Sequence, residues 1–495
     1  MATALAGLPD FDNSYARLPE RFYSRQPPDP VPEPRLVRLN RDLARELGFD
    51  PDAKPLETWA GIFSGNDPVP GIEPLAMAYA GHQFGNFVPQ LGDGRALLLG
   101  EVIDRHGDRR DVQLKGAGRT PFSRQGDGRA ALGPVLREYV VSEAMHALGI
   151  PTTRALAAVV TGEAVYRETA LPGAILTRVA RSHVRVGTFQ YFAARNDHDA
   201  VRTLADYVIA RHYPEIAGSP APYLALLERF CERQALLVAR WLGVGFIHGV
   251  MNTDNVSIAG ETIDFGPCAF LDEYDPQKVF SSIDHMGRYA YGRQPGIAQW
   301  NVARFAETLL ALLADDEDEA VRLATDAVNG FGTRFEAGWI DVMGKKLGLS
   351  QPCATDATLI RRLLGLMEAA GADFTLTFRW LADVVQAGYA PESLEAYLPP
   401  TEERASWLAD WRARLANEGT ETAIVNALRQ TNPVFIPRNH QVERVIESAV
   451  SEGDFAPFEQ LLSVLAHPFD ERPEDAEYAR PPEPHERVTR TFCGT

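Results

Sequence analysis

Residues 248–267 read HGVMNTDNVSIAGETIDFGP. The apolar lead-in to Asp264-Phe265-Gly266 puts an acid at the end of a buried strand, before a turn that Gly266 permits. A carboxylate there can hold a divalent cation on a polyphosphate, because Mg²⁺ accepts one or two carboxylates together with phosphate oxygens. Taken alone, the segment reads better as a strand that ends in an acidic turn. Asn255, nine residues upstream, supplies a second oxygen ligand, and a long helix at 223–243 precedes both. Together these features favour the metal reading.

Kinase-like phosphotransferases share this spacing: His-Gly-Asp, four further residues, Asn, and then Asp-Phe-Gly. His248, Gly249, Asn255 and Asp264 to Gly266 occupy the frame, but Val250 stands where the catalytic Asp would accept a hydroxyl proton. Asp254, four residues past the vacant position, is the replacement base. A base so displaced would serve an acceptor attacking a different phosphorus atom. The competing reading is that Asp254 caps the turn and the protein is an inactive nucleotide-binding scaffold. A small-molecule phosphotransferase is the third possibility, which the missing acid at 250 disfavours.

Upstream, Lys115 ends the strand pattern "RRDVQLK", where a kinase-like fold keeps its phosphate-binding lysine. Its expected partner is Glu138 on the next helix. Glu143 is the alternative, and both are otherwise solvated helix charges. The turn at 92–95, "GDGR", occupies the slot of a glycine-rich loop, although such turns are common in hairpins. A denser stretch at 115–133, "KGAGRTPFSRQGDGRAALG", combines glycines with Arg119, Arg124 and Arg129 and reads as an anion-handling loop or a flexible surface loop. Arg178, Arg181 and Arg185 form a basic cluster suited to phosphate, or else a solvated strand edge.

The wider chain predicts an α+β, protein-kinase-like two-lobe fold. Residues 1–75 form a Pro-rich N-terminal extension, with a short helix at 40–48 capped by Asn40. Residues 76–190 form a β-rich small lobe, with strands around 88–116, a helix at 134–149 with Pro134 near its first position, and strands in "TRALAAVVTG", "AVYRETA" and "GAILTRVA". Residues 191–470 form a mainly helical large lobe, and 471–495 a polar, Pro-rich tail of little intrinsic structure.

Of 495 residues, 49 are Lys or Arg and 67 Asp or Glu, for a net charge of −18, which argues against a nucleic-acid partner. No run of about 18 apolar residues exists and the start lacks a basic, apolar leader, so the expectation is a cytoplasmic protein without a membrane span. Four cysteines, none in a CxxC pair, exclude a disulfide scaffold.

With these residues in place, the sequence resembles the selenoprotein O family of protein adenylyltransferases. The resemblance runs nearly end to end and rests on "AGHQFGNFVPQLGDGRA" (80–96), the block 114–156, "HGVMNTDN", "IDFGPCAFLD", "NPVFIPRNHQVE" (432–443) and a Cys near the C-terminus. It implies a kinase-like fold that binds ATP reversed, so that AMP passes to a protein Ser, Thr or Tyr hydroxyl and pyrophosphate leaves. It implies ATP contacts at Gly92, Gly94, Arg95, Lys115, Asp127, Gly128, Arg178, Arg185 and Asp264, with Asp254 as base. Asn255 and Asp264 would hold Mg²⁺, with Mn²⁺ able to substitute. The expected partners are protein substrates, with neither nucleic acid nor membrane, and the expected state is a monomer. Where some family members carry selenocysteine, this chain has Cys493. The resemblance implies a reversible Cys268–Cys493 disulfide.

Overall fold

The structure, a computed structural model, describes residues 7–388, 392–395 and 397–492. Its first half is built on an antiparallel sheet. In chain order the main strands are β1 (Tyr23–Arg25), β2 (Arg35–Leu39), β3 (Leu75–Met77), β4 (Ala96–Ile103), β5 (Arg109–Lys115), β6 (Arg154–Tyr166) and β7 (Ala170–Ala180). In space they run β1-β3-β4-β5-β7-β6-β2, and a short strand at Ala130–Ala131 pairs with β7. The N-terminal segment therefore supplies both edges of the sheet.

Strand alternation assigns the two faces. In β5, Val112 and Leu114 join Leu97, Leu99 and Ile175 beneath Trp59 and Phe63 of the helix Leu56–Ser64. Each such buried side chain contributes about 1.5–3 kcal/mol. Gln113 and Lys115 point to the opposite face, as do Leu176 and Arg178 of β7. The β5–β7 register sets Arg178 beside Gln113 and Leu176 beside Lys115. The helix Leu132–Ala147 covers this second face, packing Leu136, Tyr139 and Val140 on Ala158 and Leu176. Polar groups on strand and helix thus meet at the end of an apolar seam.

Three sequence expectations shift. The helix begins at Leu132, so Pro134 is its third residue; a missing N–H is harmless throughout the first turn. "TRALAAVVTG" and the first three residues of "AVYRETA" run as one strand, because Gly162 (φ +76°) lies at a register irregularity opposite Pro172–Ala174. The tail is structured where it finds tertiary partners: Thr491 is buried, and its N–H donates to the Phe280 carbonyl at 2.7 Å. The short helix near residue 40 spans Arg41–Glu46, with Asn40 Oδ1 accepting from the Leu43 N–H.

Beyond β7 the chain is helical. Pro222–Gly243 buries Leu226, Leu227, Phe230, Ala235 and Val238 against Gln294–Leu313 and Glu317–Lys346. It leads into Phe246–Ile247, which pairs with Ala269–Phe270. The loop between these two strands carries Asp254, Asn255 and Asp264. No helix among the described residues is long and apolar enough to cross a membrane.

Candidate active site

The loop is organised by its own backbone. His248 is buried, which pushes its pKa down, and its Nε2 lies 2.9 Å from the Ile263 carbonyl. Asn255 Nδ2 donates at 2.9 Å to the carbonyl of Val250, the residue at the vacant acid position. Asp264 itself lies in the left-handed region at φ +64°, a strained conformation for a residue with a side chain. The chain leaving β7 pairs with this loop: the Val186 N–H donates to Val256 O at 3.0 Å, and Arg185 bridges to Ser257.

Three cations converge on Asp264. Lys115 Nζ lies 2.8 Å and Arg178 Nη1 2.5 Å from Oδ1, while Arg185 Nη1 lies 2.5 Å from Oδ2. Burial opposes the charged carboxylate, but Arg178, Lys115 and Arg185 outweigh it and hold Asp264 well below the usual carboxylate range. Lys115 also pairs with Glu138 at 2.6 Å. Arg178 donates to Gln113 Oε1 at 2.7 Å, the register partner on β5. Glu143 faces elsewhere and holds Arg154 and the Ala155 N–H. Arg181, central in the predicted basic cluster, is exposed, and its backbone N–H donates to Glu261 Oε2 at 2.9 Å.

Two further acids are buried nearby. Asp254 Oδ1 has no hydrogen-bond partner, and burial pushes the carboxyl up to about 6. Gly81 packs against it so closely that a Cβ there would lie 2.5 Å from Oδ1. Asp93 accepts from the Met77 N–H and from Gln113 Nε2, each at 3.1 Å, and burial pushes it too up to about 6. Sequence reasoning used the glycines of the 92–95 turn and passed over the acid between them.

A cavity of about 360 Å³ opens onto Lys115, Arg178, Arg185, Asp254, Asn255 and Asp264, as well as Asp93. A neighbouring cavity of about 250 Å³ is lined by Gly92, Asp127 and Gly128, and Gly94, Arg95, Arg124 and Asp254 border both. Asp127 is held by Arg167 at 2.7 Å, a residue that no sequence signal picked out. Arg129 lines the second cavity but is committed to Glu163 at 3.1 Å.

Residues 8–466 match the family described as protein adenylyltransferase SelO. The chain belongs to the SelO family. Its relatives include protein nucleotidyltransferase YdiU of Rhizobium etli (strain CIAT 652), 61% identical over 486 residues, covering 98% of this chain and 97% of that protein. The YdiU protein of Rhizobium meliloti (strain 1021) is 61% identical over 488 residues, 98% of this chain and 99% of its own. That of Rhodopseudomonas palustris (strain BisB18) is 61% identical over 487 residues, with the same coverage. This SelO-family chain is accordingly an enzyme, a protein nucleotidyltransferase that transfers AMP.

Among the described residues of this SelO chain, no three His, Cys, Asp or Glu side chains converge as a metal cage. The oxygen donors of Asn255 and Asp264 on one cavity wall are instead a partial set, which fits a hard cation completed by phosphate oxygens. Cys268 is 1% exposed, and burial pushes its thiol up to about 12. Cys493 lies outside the described residues. Thr491, two positions before it, donates through Oγ1 to Pro267 O at 2.6 Å, next to Cys268.

Proposed function

We propose that the chain uses a kinase-like two-lobe frame to move AMP from ATP onto Ser, Thr or Tyr hydroxyls of proteins. The observation that carries this reading is the convergence of Lys115, Arg178 and Arg185 on the single carboxylate of Asp264. Arg95 and Arg124 line the same cavity, so five cations face Asp93, Asp254, Asp264 and Glu138 and leave positive charge over, for which a polyphosphate is the natural counterpart. The arginines sit deep in the cavity, which suits an ATP whose β- and γ-phosphates enter first and whose α-phosphate faces the acceptor. Gly92, Gly94, Arg95, Asp127 and Gly128, around the adjoining space, would border the rest of the nucleotide.

The hydroxyl oxygen forms a bond to the α-phosphorus, the α–β bridging bond breaks, and its electron pair leaves with pyrophosphate. Asp254 accepts the hydroxyl proton; its Oδ1 is buried with no partner to displace. Mg²⁺, or Mn²⁺ in its place, would be held by Asn255 and Asp264 and would neutralise phosphate charge. Lys115, kept in place by Glu138, and Arg178, kept in place by Gln113, orient the phosphates. Val250 offers no proton acceptor, which weighs against γ-phosphoryl transfer.

ATP labelled at either the α- or the γ-phosphate tests the reading. Label from the α position should enter protein and label from the γ position should not; the reverse pattern indicates a kinase, and neither indicates a scaffold. Asp264→Ala should abolish transfer, and full activity in that variant would refute the metal assignment. A reversible Cys268–Cys493 link is also proposed, supported by the Thr491–Pro267 hydrogen bond. Equal thiol counts with and without reductant would end that idea.

A further inference from the structure

Among the described residues few large apolar side chains are exposed, and three of them, Ile283, Met286 and Phe492, stand on two joined segments. Ile283 is 51% exposed and also lines the catalytic cavity. Met286, three residues on, is 84% exposed. Phe492 is 68% exposed and follows Thr491, whose N–H and carbonyl pair with Phe280 and Ser282, at the start of the same segment. The hairpin Gly81–Val88 borders the same cavity through Gln83 and Phe84, while its Phe87 pairs with His82 on the face opposite Gln83.

These side chains stand on pinned backbone rather than on loose loop tips. Asp284 is buried between Ile283 and Met286 and accepts from the N–H groups of Arg288 and Tyr289, each at 2.8 Å. Tyr289 OH donates to Asn252 Oδ1 at 2.7 Å, and the Phe84 N–H donates to the same oxygen at 3.0 Å. One amide of the catalytic loop thus fixes both the hairpin and the apolar segment. Apolar groups held rigidly in water at a cavity mouth mark a contact surface.

We infer that this rim is the docking surface for the acceptor segment of the protein substrate, and that it selects an extended segment carrying a large aliphatic or aromatic side chain close to the modified hydroxyl. The occupant follows from continuity: the enzyme modifies proteins, the hydroxyl must enter the cavity that Asp254 lines, and Ile283 belongs both to that cavity and to the rim. Because Ile283 belongs to both rim and cavity, the apolar residue of an extended acceptor, advancing about 3.3 Å per residue, lies close in sequence to the hydroxyl. The inference rests on the nucleotide-transfer reading of the cavity.

The test uses the full-length enzyme, α-labelled ATP and two peptides that differ only in Leu or Lys two positions from a single acceptor hydroxyl. The Leu peptide should be favoured about tenfold in kcat/KM. Met286→Asp combined with Phe492→Asp should raise the KM for that peptide and remove the preference while leaving the KM for ATP unchanged. Equal labelling of both peptides by the unaltered enzyme, or a preference that survives the double substitution, overturns the inference. So does a shift from dimer to monomer on sedimentation with peptide kinetics unchanged, since the rim would then be a contact between copies. Absence of α-label from every acceptor would overturn the transfer reading and this inference with it.

Discussion

Lys346 is 3% exposed, and its ammonium lies 4.5 Å from the ring centroid of Phe378 and 5.6 Å from that of Phe374. The ring faces attract the cation, but burial pushes the amine down to about 7. In the unfolded chain the amine titrates near its ordinary 10.5. Between these values the unfolded state binds more protons, so stability rises with pH from about 7 to 10.5, and below 7 the full penalty is present. Lys346→Met should therefore stabilise the protein at pH 7, by about 1–4 kcal/mol, and flatten that part of the profile; chemical denaturation at several pH values reads both. An unchanged midpoint would show that the rings compensate fully. Such a group is illegible in sequence, where a Lys in "MGKKLG" looks like any helix-end charge. Asp93 and Arg167 were missed for the same reason: their weight comes from burial and from a partner distant in the chain.

Elements were easier to read than their uses. The glycine-rich turns at 92–94 and 126–128 were expected to approach phosphate. Their first role is close packing against the 115–133 stretch. Gly92, at φ +73°, would place a Cβ 2.3 Å from the Phe122 ring, and Gly128, at φ +70°, would place one 2.0 Å from Gly118 O. Gly92→Ala and Gly128→Ala should each lower stability by about 1–3 kcal/mol and raise the KM for ATP, as thermal melting and initial rates would show. A substitution that alters KM alone would mean that the loop yields without strain. The helix Leu132–Ala147 shows the same limit. Its period, its end and Glu138 as the expected partner of Lys115 were legible, but the use of Glu143 was not: the start of the next strand brings Arg154 to it.

At the scale of the whole molecule, the tail expected to be unstructured packs beside the Asp264-Phe265-Gly266 segment. Thr491 ties Pro267 and Phe280 to the chain end, while Arg487 reaches Glu273 at 2.5 Å. Removing residues 491–495 should lower the thermal midpoint and make Cys268 react with a thiol reagent under native conditions. Unaltered labelling would show that other contacts bury this thiol. A net charge of −18 is likewise a property of the sum; the cations that matter are withdrawn from the surface and concentrated around Asp264.

The sequence by itself determined the motif frame: Asn255 and Asp264 nine residues apart, Lys115 at a strand end, Val250 in place of an acid, and helices marked by period and cap. These follow from local geometry, which spacing records. Only the tertiary structure decided that Asp254 is buried with a free oxygen, that three cations share Asp264, and that Asp93 and Arg167 belong to the site. Burial and pairing arise between residues far apart in the chain, and strand register and helix packing bring them together.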